Sequence, residues 1–213
     1  MFSEKKVIVW DWNGTLLNDV DICIESMNNL LSRRKMELIH TSQYKEIFDF
    51  PVVNYYKKLG FDFATDTFED LSVEFMSDYT ERLKKALLFE DVVHILQILK
   101  DKQKNQLIIS AMQQNSLENS VNSLDIMHFF DELIGLNNIY AAGKKDLAKN
   151  YFSTGNIPIN DILFIGDTLH DYDVARHVGA DCVLISKGHH SKKRLLETHV
   201  KVLDTHKDLL SLL

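Results

Sequence analysis

The sequence predicts an α/β protein, a doubly wound parallel sheet interrupted by an inserted helical unit. Three observations predict it. Short runs that are apolar at every position, Val7–Trp10, Leu107–Ile109, Ile162–Ile165 and Cys182–Ile185, suit strands covered on both faces. Segments with helical apolar spacing alternate with these runs, as βαβ units require. One gap in the alternation, residues 11–106, is far longer than the single helix a parallel crossover needs.

Taken in order, Val7–Trp10 is the first strand. Val20, Cys23, Ile24, Met27, Leu30 and Leu31 form a helix stripe, with Asn18 or Asp19 as its cap. Phe50-Pro51 marks a break, Val52–Leu59 begins another helix, and Gly60 is its C-cap. Phe68, Leu71, Phe75, Tyr79 and Leu83 form a further stripe. Residues 17–86 therefore read as an inserted all-helical domain, and residues 1–16 plus 87–213 as the α/β core. An insertion at this point sits over the carboxyl ends of the strands, where open α/β sheets bind ligands, so a mobile lid is expected. Further on, Val92, Val93, Leu96 and Leu99 share one helix face, and Leu117, Val121 and Leu124 another. Glu132–Ile134 is a weaker strand signal.

Composition narrows the function classes. The chain has 213 residues, 45% hydrophobic and 26% charged, which is enough for a real core. Its net charge of -7 offers no basic surplus for a nucleic-acid partner. The one basic cluster, Lys192-Lys193-Arg194, reads as a solvated helix face. No apolar run approaches the roughly 18 residues of a membrane span, and Val7–Trp10 is far shorter than a signal-peptide core. Cys23 and Cys182 lie far apart, as reduced and mostly buried thiols of a cytoplasmic protein would.

Four chemistry-bearing elements fall at the ends of predicted strands. Asp11, with Asn13 and Thr15, follows Val7–Trp10. Ser110 ends Leu107–Ile109, and Lys144, with Lys145 beside it, lies in Ala-Ala-Gly-Lys-Lys-Asp. Gly166-Asp167-Thr-Leu-His170-Asp171 follows Ile162–Ile165. Each signal is weak alone: a Ser or Lys is usually a cap or a solvated charge, and a Gly-Asp is often only a turn. Together they supply a carboxylate nucleophile, a hydroxyl, a cation and a carboxylate pair to one crevice.

In this order the elements resemble the four motifs of the haloacid dehalogenase superfamily, in its phosphoglycolate-phosphatase-like branch, across nearly the whole chain. The resemblance implies a Rossmann-like core with a helical cap of the C1 type at residues 17–86. It implies hydrolysis of small phosphate monoesters through an aspartyl-phosphate on Asp11. It implies Mg²⁺ as cofactor, held by Asp11, Asp167, the backbone carbonyl of Asn13 and, through water, Asp171. Thr15 and Ser110 would donate to phosphoryl oxygens, and Lys144 would offset charge on the phosphate and on Asp11. Lys144 is preferred to Lys145 because Gly143 before it allows a tight turn. The expected partner is a small phosphorylated metabolite, with no nucleic acid and no membrane.

The sequence departs from the family at position 13, where phosphatases carry a second Asp that protonates the leaving alcohol. An amide cannot transfer that proton at neutral pH. Such general acid–base catalysis is worth about 10²–10⁴ in rate, or about 3–5 kcal/mol. Three readings stay open: a slower phosphatase or one for good leaving groups, one in which His170 supplies the proton, and a phosphometabolite-binding protein without turnover. For His170 the favoured reading is a helix-start residue facing solvent. Asn13→Asp is expected to raise activity on alkyl phosphates. A phosphonatase-like use of Lys57 or Lys58 is the less favoured variant. Tyr55, Tyr56, Lys57 and Arg33 are candidate substrate contacts, and His189-His190 either borders the site or is exposed.

Overall fold

A computed structural model describes residues 2–141, 143–155 and 157–212. Six parallel strands form the main sheet: β1 (Val7–Trp10), β4 (Asn105–Gln113), β5 (Glu132–Leu136), β6 (Ile162–Gly166), β7 (Asp181–Ile185) and β8 (Lys201–Leu203). A separate antiparallel pair, β2 (Leu17–Asn18) and β3 (Leu87–Leu88), lies where the chain leaves the sheet domain and returns to it. The main sheet is ordered β5-β4-β1-β6-β7-β8, so β1 is interior and its two neighbours come from distant sequence. This is the doubly wound α/β architecture expected from the alternation of strands and helices.

Side chains alternate between faces along β1, as the two-residue strand period requires. Ile8 and Trp10 pack with α5 (Val92–Asp101) and α6 (Gln114–Ser123). Val7 and Val9 pack with α7 (Lys144–Thr154) and α8 (Leu169–Val178). Both faces are thereby covered, which is why β1 is apolar at every position. The stripe on α5 needs one correction: Val92, Ile95, Leu96 and Leu99 are buried, while Val93 is exposed. At about 100° per residue, Val92, Ile95, Leu96 and Leu99 centre close to Val92, and Val93 falls roughly 110° away from that centre.

The insertion contributes α1 (Val20–Arg33), α2 (Thr41–Ile47), α3 (Val52–Leu59) and α4 (Phe68–Leu83). These helices enclose a small core of their own, in which Met27, Leu30, Leu31, Tyr44, Tyr56 and Leu71 are fully buried. Gly60 ends α3 in the left-handed region at φ 92°, as read from the sequence. Asp19 occupies the position before α1 but makes no side-chain cap, because its carboxylate turns back toward the loop after β1. Arg194, read as solvated, is half-buried: its Nη1 donates to the carbonyls of Lys45 (3.1 Å) and Phe48 (2.6 Å), tying the insertion to the core. Among the described residues no helix is long and apolar enough to cross a membrane.

Candidate functional site

Register brings the strand ends together. Trp10 lies opposite Ile108 of β4 and Ile165 of β6. Ser110 and Asp167, each two residues further on, therefore flank Asp11, and the Asp11 N–H donates to the Ile165 carbonyl at 2.8 Å. Ser110 does not end its strand. β4 continues to Gln113 with a register shift after Ile109, and within that irregular stretch the buried Ser110 hydroxyl accepts from the Met112 N–H at 3.0 Å.

The loop after β1 turns at Gly14, whose φ of 74° suits glycine and whose Cα lies so close to Asp167 that a Cβ would stand 2.5 Å from Oδ2. Gly188 allows an equally close approach on the other side, where a Cβ would collide with the Asp167 carboxylate and the Gly14 carbonyl. The Thr15 hydroxyl is buried 2.8 Å from Asp167 Oδ1 and 3.3 Å from Asp11 Oδ2, and donates to the nearer.

Lys144 is the first residue of α7, positioned by Gly143 at φ 107°. Its buried ammonium contacts Asp11 Oδ1 and donates to Asp171 Oδ1 at 2.7 Å. Lys145 faces outward and pairs with Asp173 at 2.7 Å. Asp171 closes a capping box on α8, where its Oδ2 accepts from the Thr168 hydroxyl at 2.6 Å and the Thr168 N–H at 3.0 Å. Asp11, Asp167 and Asp171 thus present oxygens within 4.8 Å of one another. Burial and the neighbouring Asp171 carboxylate push the Asp11 carboxyl well up despite Lys144. Burial also raises Asp171, but the Lys144 ammonium outweighs it and holds that carboxylate low.

A second network joins the site to the insertion; Asn13 and Asp167 are members that the sequence proposes for the site, His189 is one it places at the border or in solvent, and Asp19, Tyr79 and Tyr44 are additional. Asn13 Nδ2 donates to Asp19 Oδ2 at 3.0 Å and to the Tyr79 hydroxyl at 2.7 Å. Tyr79 donates in turn to Asp19 Oδ2 at 2.6 Å, and the Gly14 N–H reaches Asp19 Oδ1 at 2.8 Å. His189 Nε2 lies 3.3 Å from Asp19 Oδ1, its Nδ1 lies 2.8 Å from the Tyr44 hydroxyl, and its backbone N–H donates to Asp167 Oδ2 at 2.5 Å. Burial lowers the His189 pKa, but the Asp19 carboxylate dominates and raises it to about 9, so the imidazolium persists at neutral pH. A Gly followed by His after an apolar strand was the available signal for His189. Asp19 and Tyr79 had none beyond their helix positions.

The remaining candidates divide. His170 does not face solvent: its ring stacks on Phe50 of the insertion at 4.6 Å, it lines the cavity above Asp11, and its Nε2 is buried without a partner among the described residues. Burial, and then Lys144, pull its pKa down to about 4, so it is uncharged at neutral pH. Tyr56 lines the cavity, whereas Tyr55, Lys57, Lys58 and Arg33 do not. Lys58 pairs with Asp49 and Arg33 with Glu74 outside it. His190 is buried beside His189, its Nδ1 accepting from the Leu169 N–H at 3.0 Å.

The family model for haloacid dehalogenase-like hydrolases matches residues 8–185 of this chain. The chain belongs to that family. In the haloacid dehalogenase-like fold, similar solved structures cover nearly all of it. The Mycobacterium tuberculosis Protein Tyrosine Kinase A is 18% identical, with 97% of each chain covered and a TM-score of 0.81. A predicted phosphoglycolate phosphatase from Haemophilus somnus 129PT is 18% identical, with 98% of each covered and a TM-score of 0.79. A haloacid dehalogenase-like family hydrolase from Streptococcus pneumoniae is 21% identical, with 98% of each covered and a TM-score of 0.74. At these identities the likeness is one of fold. Comparison with curated proteins by sequence gives no match.

Proposed function

We propose that this haloacid dehalogenase-like hydrolase is a Mg²⁺-dependent phosphatase of small phosphate monoesters, with Asp11 as nucleophile and residues 17–86 as a cap over the site. The observation that carries the reading is the convergence of Lys144 on Asp11 and Asp171, with the Thr15 hydroxyl between Asp11 and Asp167. Three carboxylates converge here with Lys144 paired to two of them, and burial, with repulsion from Asp171 added to it, pushes Asp11 and Asp167 up. An all-oxygen, net negative donor set of this kind fits a hard divalent cation. Asp11, Asp167 and the backbone of Asn13 would hold it, with Asp171 orienting them, and it would neutralise charge on the transferring phosphoryl group.

In this reading the Asp11 carboxylate attacks phosphorus to form an aspartyl-phosphate, and water then releases phosphate. Lys144 holds Asp11 in place and works against the burial that raises its carboxyl, a bound cation would supply the remaining positive charge that favours the carboxylate, and Thr15 and Ser110 offer hydroxyls to the phosphoryl oxygens. A second reading, phosphometabolite binding with little turnover, is favoured by one observation: both amide protons of Asn13 are committed to Asp19 and Tyr79. Mg²⁺-dependent phosphate release from an aryl and an alkyl phosphate separates the two. Turnover that is lost in Asp11→Asn supports the phosphatase, and equal activity of Asp11→Asn and wild type overturns the mechanism. The Haemophilus somnus relative's name makes phosphoglycolate the reference ester.

A further inference from the structure

Resting on the phosphatase reading, we propose that the site takes phosphate esters of an uncharged, single-ring alcohol whose leaving group is phenol-like, in preference to phosphates of small charged acids. Three independent features point there.

The first is the shape and lining of the cavity. It has a volume of about 160 Å³ and runs from Asp11 and Lys144 into the insertion. Its far wall is built by Met27, Phe48, Phe50, Tyr56, Phe68 and Phe75. A cavity of about 150 Å³ with an apolar lining takes up benzene, so a single ring is of the right scale for the apolar part of this space. The wall rings are not parallel: Phe48 meets Phe50 at 75°. Such walls favour an aromatic guest.

The second feature is the placement of charge. The ionisable Asp, His and Lys side chains lining the cavity are Asp11, Asp19, Lys144, His170, Asp171 and His189. Lys144 is paired with two carboxylates, and His189 faces Asp19. The insertion's own cations point elsewhere. Arg34 joins Asp66 and Glu74, Lys58 joins Asp49, and Lys45 donates to the Lys187 carbonyl. A carboxylate on the substrate's leaving group, pointing away from Lys144 and from a metal held by Asp11 and Asp167, would therefore meet an aromatic wall that offers it no unpaired cation, a costly desolvation.

The third feature is Asn13, which has no proton to give and holds its amide hydrogens on Asp19 and Tyr79. An alkoxide departing unprotonated is a poor leaving group, since its conjugate acid has a pKa near that of water, about 16. A phenol, like the tyrosine side chain at about 10, leaves as its anion far more readily. The chemistry balances without an enzyme acid. An Asp11 oxygen bonds to phosphorus as the P–O(aryl) bond breaks, and the electron pair leaves on the phenolate, which takes a proton from solvent. Water then delivers hydroxide to phosphorus and its proton to the released phosphate, and the Asp11 carboxylate returns.

The test pairs turnover with binding. With Mg²⁺ present, kcat/KM for phenyl phosphate is expected to exceed that for phosphoglycolate by at least about 100-fold. By calorimetry, phenylphosphonate, which cannot be hydrolysed, is expected to bind at least about tenfold tighter than phosphonoacetate, its carboxylate-bearing counterpart. Phe75→Leu removes one ring from the wall and is expected to weaken phenylphosphonate about fivefold while leaving phosphonoacetate unchanged. Phosphonoacetate binding as tightly as phenylphosphonate, or phosphoglycolate turned over as fast as phenyl phosphate, overturns the proposal and leaves the phosphatase reading intact. If phenylphosphonate binds preferentially while no ester releases phosphate, the ligand class stands and the phosphatase reading falls.

Discussion

The Asn13 amide and the Asp19 carboxylate are hydrogen-bonded at 3.0 Å, and Asp19 in turn faces His189 at 3.3 Å. Asn13 is therefore a structural donor inside a buried anion site, as well as the residue where a proton donor is absent. This changes what an acid at position 13 would do. Asn13→Asp would set two buried carboxylates side by side and remove a donor from Asp19. We expect the single variant to lose about 1–3 kcal/mol of stability at pH 8 and less at pH 5, where one proton can bridge the pair. Adding Asp19→Asn should recover most of that loss and release the expected gain on alkyl phosphates. Thermal melts at both pH values check the first part, and an unchanged Tm at pH 8 would show that the contact carries no energy.

Lys144 offers a sharper contrast because its neighbour serves as the control. Lys144→Met removes the cation shared by Asp11 and Asp171, both sheltered from water, and breaking such a buried pair costs about 3–5 kcal/mol. The loss should shrink as pH falls, because the abandoned carboxylates can then protonate. Lys145→Met, which disturbs only a half-exposed pair with Asp173, should shift stability by less than about 1 kcal/mol. Urea titrations of both variants decide it. Equal effects would mean that the buried contact is not what positions Asp11.

The difference between what the sequence showed and what it hid follows range. Asp11, Lys144 and Asp167 were legible because each ends or begins an element with a strong local pattern, and a parallel sheet places strand ends at one edge. Ser110 was legible for the same reason, although the strand runs past it. β8 was missed because Lys201–Leu203 is too short to show a period. The Asp19–Tyr79–His189–Tyr44 network was out of reach for a different reason. It joins side chains 60 and 145 positions apart across the junction of insertion and core, and that junction is set by packing with no sequence period. His170 failed likewise: helical position gave its location on α8, but only the approach of Phe50 turns it from solvent to cavity.

The insertion also carries a charge cluster that predicts its acid behaviour. Arg34 binds Asp66 at 2.9 Å and Glu74 at 2.9 Å, and its hydrogen bonds hold both carboxyls below their ordinary values. Depressed folded-state values mean that the stabilisation is present above the unfolded carboxylate pKa, about 4, and is lost as pH falls below it. Arg34→Gln should lower stability at pH 6 and flatten the decline between pH 6 and 3. A parallel decline in variant and wild type would assign the acid sensitivity to other carboxylates.

Arg194 makes the last prediction, because it reaches from the core into the insertion through Lys45, Phe48 and Asp49 and not through Asp11 or Lys144. Its guanidinium holds the carbonyls of Lys45 and Phe48, at the end of α2 and just beyond it, and Phe48 forms part of the cavity wall. Removing it strips the Phe48 carbonyl of this donor, leaves the Lys45 carbonyl only the Ser191 N–H at 3.3 Å, breaks the 3.7 Å pair with Asp49 and loosens the segment from Lys45 to Phe50, without touching Asp11, Asp167, Asp171 or Lys144. Arg194→Ala should therefore speed hydrogen exchange in Thr41–Ile47 by about tenfold, while amides of β1 and β6 keep their protection, since local opening is governed by local contacts. It should raise KM for ring-bearing esters more than it lowers kcat, because the wall loosens while the reacting groups stay in place. A fall in kcat at constant KM, with no change in exchange at α2, would place the role of Arg194 in the core instead.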